Sequence, residues 1–103
     1  MKRIKESELN EHLKEFQNTN LQIEFENEIS GKIVVENGTV NFNREDGYIY
    51  INYDKGTLKI NTTLVTGYEV EKKLFSIQFE TLIIKIKRFY AFLPLERADI
   101  KGV

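Results

Sequence analysis

Asn37-Gly38, Asp46-Gly47, Lys55-Gly56 and Thr66-Gly67 recur about every ten residues through the middle of the chain and cut a β-rich stretch into short lengths. Asn-Gly and Asp-Gly tolerate the positive φ angles of two-residue hairpin turns, so this spacing predicts an antiparallel meander. Residues flanking such a turn pair symmetrically outward. A turn at Asn37-Gly38 sets Val35 opposite Val40 and Ile33 opposite Phe42. One at Asp46-Gly47 sets Phe42 opposite Ile51 and Val40 opposite Tyr53, and one at Lys55-Gly56 sets Tyr53 opposite Leu58 and Ile51 opposite Ile60. All three place Ile33, Val35, Val40, Phe42, Ile49, Ile51, Tyr53, Leu58 and Ile60 on one face, and a slip of a single residue at any turn destroys that agreement.

Upstream, Leu9, Leu13 and Phe16 share a stripe at helical spacing behind Ser7, a residue type suited to an N-cap, with Glu6, Glu8, Glu11 and Glu15 around the first turns. A helix over residues 8–17 is too short to stand alone and must dock on the sheet. The period becomes two at Leu21, Ile23 and Phe25, and again at Tyr68 and Val70 and at Phe75, Ile77 and Phe79; a turn near Glu71-Lys72-Lys73 lacks a glycine. Leu82 to Ile86 is apolar on both faces for part of its length, which fits a central strand, a strand beneath the helix or an oligomer contact.

The expected fold is therefore α+β and mainly β: one domain over residues 1–103, with an N-terminal helix (8–17) packed on a strongly bent antiparallel meander or small, partly closed barrel of about seven strands (20–93), and a C-terminal tail (94–103) after Pro94. In topology this order is similar to Sm-like and SH3-like small barrels. None of their sequence motifs occurs here, so the likeness implies a shape and no activity.

A chain of 103 residues buries roughly two-thirds of its unfolded surface, enough for a core without staples. Cysteine is absent, which excludes disulfides, thiolate metal sites and cysteine nucleophiles. No apolar run has the length of a signal peptide or a membrane span, so the expected compartment is the cytoplasm. Net charge is −1, against binding of nucleic acid mainly through phosphate neutralisation. The charge is uneven: residues 1–46 carry six basic and ten acidic side chains, residues 47–103 nine and six.

The face opposite the predicted core carries Tyr48, Tyr50, Asn43, Asn52, Lys59 and Asn61, with Lys32, Val34 and Asn41. In the predicted register Tyr50 lies between Asn43 and Asn61, and Asn52 opposite Lys59. Tyrosine with asparagine supplies rigid aromatic area and adaptable hydrogen bonding, a mixture common at protein-binding surfaces. Its plainer reading is a solvated face built from a good strand former. Lys85, Lys87, Arg88, Phe89 and Tyr90 form a basic and aromatic cluster suited to single-stranded nucleic acid, or else a last core strand edged by lysines. Glu24, Glu26 and Glu28 alternate along one strand face and project in parallel, unlike the converging oxygens of a calcium site. His12, the only histidine, lies beside the helix stripe, and no nucleophile elbow, phosphate loop or paired-histidine motif accompanies it.

These features predict a non-catalytic protein-binding or assembly module, with no metal or cofactor, acting through the Tyr/Asn face or a strand edge on a protein partner that includes other copies of itself as a candidate. A nucleic-acid-binding small barrel is the alternative, and no membrane partner is expected.

Overall fold

The computed structural model describes residues 2–89. Eight strands form one antiparallel sheet: β1 (Lys2–Ile4), β2 (Thr19–Glu26), β3 (Gly31–Asn43), β4 (Tyr48–Tyr53), β5 (Gly56–Asn61), β6 (Gly67–Glu71), β7 (Leu74–Gln78) and β8 (Ile83–Arg88). Their spatial order is β1-β6-β7-β8-β2-β3-β4-β5, a strongly curled meander that stays open. The mainly β class with one short N-terminal helix is as the sequence predicts, and the strand missing from the prediction is β1. The tail predicted from residue 94 lies outside the described residues. Among those described, no helix is long and apolar enough to cross a membrane.

The helical segment is shorter and tighter than predicted. A 3₁₀ turn at Glu6–Glu8 leads into α1 (Leu9–His12), and a second 3₁₀ turn follows at Leu13–Glu15. Ser7 does not cap it. The Lys5 N–H donates to the Glu8 carboxylate at 3.0 Å while the Glu8 N–H donates to the Lys5 carbonyl at 2.8 Å, so the two residues satisfy each other's backbone in the manner of a capping box. That bond from Lys5 is the main reason the Glu8 carboxyl is held below its usual range. The predicted stripe is correct: Leu9, Leu13 and Phe16 are buried and cover one end of a core made by Leu21, Ile23, Val40, Phe42, Ile49, Ile51, Phe75, Ile77, Ile84 and Ile86.

Asn37-Gly38 is not a turn. It lies inside β3, a strand of 13 residues, and marks a bulge: β2 pairs Leu21 with Val35 but Thr19 with Gly38. Asn37 takes up the left-handed conformation (φ 56°), and Gly38 lies so close to β2 that a Cβ there would meet Leu21 Cδ1 at 2.8 Å. The extra residue switches side-chain parity, which brings Val35 and Val40 to one face as a turn would.

The next two turns are real but displaced. Asn43 faces Tyr48, so the β3–β4 connection runs from Arg44 to Gly47, with Val40 opposite Ile51 and Phe42 opposite Ile49. Tyr53 faces Gly56 across a two-residue turn at Asp54-Lys55, with Ile51 opposite Leu58 and Ile49 opposite Ile60. Each register differs from the predicted one by two residues, which leaves every side chain on its predicted face. The β6–β7 turn is Lys72-Lys73, with Lys72 at φ 51° in place of a glycine. Of the predicted core set only Ile33 is well exposed.

Strand β8 lies between β7 and β2, and Ile84 and Ile86 are buried. The central-strand reading of the apolar run at Leu82 to Ile86 is the one this arrangement shows.

Candidate functional site

Burial of Ile49 and Ile51 inside β4 turns Tyr48, Tyr50 and Asn52 outward. The neighbouring strands add Asn41 and Asn43 from β3 and Lys59 and Asn61 from β5. Two cross-strand rows result, Asn43–Tyr48–Asn61 and Asn41–Tyr50–Lys59, while Asn52 sits between Thr39 and Thr57. The predicted members of this face are thus assembled, with the predicted neighbours corrected by the two-residue shift: Tyr48, not Tyr50, lies between Asn43 and Asn61, and Lys59 faces Tyr50 rather than Asn52.

The correction changes the chemistry. Lys59 Nζ stands 4.7 Å from the centroid of the Tyr48 ring and 5.8 Å from that of Tyr50, close enough for cation–π attraction to both. The rings are 6.1 Å apart and tilted by 45°. The Tyr50 hydroxyl donates to the Asp46 carboxylate. That bond lowers the Asp46 carboxyl and raises the Tyr50 phenol, so at neutral pH the pair stays as phenol and carboxylate. Asn61 Nδ2 reaches the Tyr48 hydroxyl at 3.5 Å, and the Thr57 hydroxyl donates to Asn52 Oδ1 at 2.9 Å. Sequence reasoning treated Asp46 only as a turn residue and so missed its hold on Tyr50. The available signal was an acid just ahead of an outward tyrosine, across a loop whose N–H groups fold back on Asp46: the Tyr48 N–H donates to Asp46 Oδ1 at 3.0 Å.

The basic and aromatic cluster lies elsewhere. Lys85 and Lys87 project from β8, separated from β4 by β2 and β3. Lys85 bonds Glu26 at 2.8 Å, and Lys87 stands 3.9 Å from Glu24. Two of the three glutamates on the acidic strand face thus neutralise the two lysines within the chain. The Phe89 N–H donates to the Asn20 carbonyl at 2.8 Å, extending the β2–β8 seam beyond Arg88. Tyr90 lies outside the described residues. His12 ends α1 and is half-buried.

An apolar cleft of about 290 Å³ opens on the concave side, where Ile23 and Phe25 of β2 and Ile84 of β8 approach Ile51, Leu58 and Ile60 of β4 and β5. It is the opening left by incomplete curling of the sheet. Comparison of the chain with family models, curated proteins and solved structures finds no match.

Proposed function

We propose that this chain is a non-catalytic protein-binding module whose contact surface is the outer face of β3–β4–β5, centred on Tyr48, Tyr50 and Lys59 and rimmed by Asn43, Asn52 and Asn61. The observation that carries this reading is the placement of Lys59, on the edge strand β5, over two half-buried, outward-facing tyrosines of the neighbouring β4. The rings are held in place before any partner arrives, which lowers the ordering cost of binding, and the asparagines around them can donate or accept as a partner's backbone requires.

Nucleic acid fits the same surface less well. The two rings are tilted rather than parallel, Lys59 already covers them, and Asp46 adds a negative charge beside Tyr50. The other candidate lysines, Lys85 and Lys87, are engaged by glutamates. Phosphate-driven binding needs free cations in a track.

The test places a photoreactive benzoylphenylalanine at Asn61, on the rim, in cells of the source organism, with and without Tyr50→Ala. A discrete protein adduct that disappears with Tyr50→Ala is the expected result; no adduct, or one indifferent to Tyr50, removes the reading. Fluorescence anisotropy with random single-stranded oligonucleotides is expected to show nothing tighter than about 10 μM at physiological salt. Sub-micromolar binding that collapses with added salt would make nucleic-acid recognition the function instead.

A further inference from the structure

The two edges of β3 are treated differently along its length. Residues Thr39–Asn43 pair with β4 on one side. On the other side the helical segment completes the edge: the Val40 N–H donates to the Phe16 carbonyl at 2.9 Å, Gln17 Nε2 to the Val40 carbonyl at 3.1 Å, and the Asn10 side chain bonds both backbone groups of Phe42 at 2.8 and 2.9 Å. Residues Gly31–Glu36 pair only with β2. Among the described residues no strand takes their second edge, because β4 has already turned at Asp54-Lys55. Ile33 and Val34 are exposed there at 40% and 41%, and a depression of about 320 Å³ lined by Val34, Val35, Glu36, Tyr53, Asp54 and Lys55 runs alongside. An open, apolar edge of this kind is a template for strand addition.

We infer that the occupant of this edge is the same edge of a second copy, paired antiparallel about a two-fold axis through Val34. The sequence of the edge complements itself in this one register. With Val34 opposite Val34, Ile33 meets Val35 on the concave side, and Lys32 meets Glu36 twice on the convex side, once on each side of the axis. A two-fold axis normal to the sheet keeps each face with its own kind, as an isologous contact requires. Lys32 and Glu36 are exposed, and neither has an ion-pair partner among the described residues. Glu24, which lies opposite Lys32 on β2, already receives Gln22 Nε2 and stands near Lys87. The sheet's terminal edges suit self-pairing less: β1 has three residues, and β5 carries Lys59 at its middle, where an isologous pairing centred on it sets ammonium against ammonium.

Sedimentation equilibrium of the full chain, over concentrations reaching about 1 mM, reads the result directly. The wild type is expected to show a monomer–dimer equilibrium, and Val34→Lys, which puts two like charges on the axis, to abolish it. Lys32→Glu and Glu36→Lys are each expected to raise the dimer dissociation constant by about tenfold, since each turns both symmetry-related attractions into repulsions. The double variant K32E/E36K restores them and is expected to return within about threefold of wild type. All three substitutions fall on exposed side chains, and circular dichroism with urea midpoints checks that each of the four variants folds. Tyr48→Ala and Tyr50→Ala are expected to remain dimeric. A wild type that stays monomeric throughout, a dimer indifferent to Val34→Lys, or a charge-swapped double no tighter than the single variants would overturn the inference.

Discussion

The two halves of β3 have similar sequences and opposite situations. Both are rich in β-branched or aromatic residues flanked by polar ones, yet Val40 and Phe42 are buried while Ile33 and Val34 face solvent. Composition does not separate them. What separates them is the supply of neighbours: β4 and the Asn10–Gln17 segment enclose one half, and β2 alone supports the other. The bulge at Asn37-Gly38 is the boundary. It lets one continuous strand serve two differently oriented parts of the curled sheet while keeping Val35 and Val40 on the core side.

If that contrast is right, the largest effect comes from the enclosed half. Phe42→Ala is expected to cost about 3–5 kcal/mol, the usual range for removing a buried aromatic side chain, read as a fall in the urea midpoint with an unchanged slope. A smaller loss would show that Phe42 is not enclosed. Next comes the boundary. Gly38→Val should cost about 1–3 kcal/mol by overpacking, because its branched side chain must displace Leu21, which is itself fully buried. A neutral result would mean that β2 and β3 do not approach so closely. The open half gives the smallest effect: Ile33→Ala, measured at dilution, is expected to cost below about 1 kcal/mol. A loss comparable to that of Phe42→Ala would show that both halves are enclosed, and the comparison would fail.

The same strand shows how far the sequence could be read. Face assignment succeeded because it depends only on parity: a register displaced by two residues, as at both Arg44–Gly47 and Asp54-Lys55, leaves every side chain where it was expected. Register itself was illegible, since loop length is set by which residues take positive φ, and Asp54-Lys55-Gly56 permits more than one placement. Asn37-Gly38 was misread for a related reason. A left-handed asparagine followed by a glycine serves a bulge as readily as a turn, and only the proximity of Leu21, distant in sequence, distinguishes them. Strand β1 escaped because Lys2-Arg3-Ile4 has no alternation to detect; it is held by pairing with β6 and by Arg3, which lies over Gly67 and donates to the Thr66 carbonyl at 3.2 Å. At the candidate site the members were legible and their contacts were not. The position of Lys59 over Tyr48 depends on the register that the sequence left open.

The seam between β2 and β8 has a further consequence. Strands β2–β5 and β6–β8 are each built from neighbours in sequence, whereas β2 pairs Leu21 with Arg88 and Glu26 with Ile83 across nearly the whole described chain. Closing that seam carries a loop-entropy cost that the local hairpins do not, and non-local pairings of this kind slow folding. The chain is thus divided, in time rather than in space, into two early meanders, a late join between β2 and β8, and the equally non-local docking of β1 on β6. The Glu26–Lys85 and Glu24–Lys87 bonds, which cross the join, are expected to form only after the hairpins on either side exist.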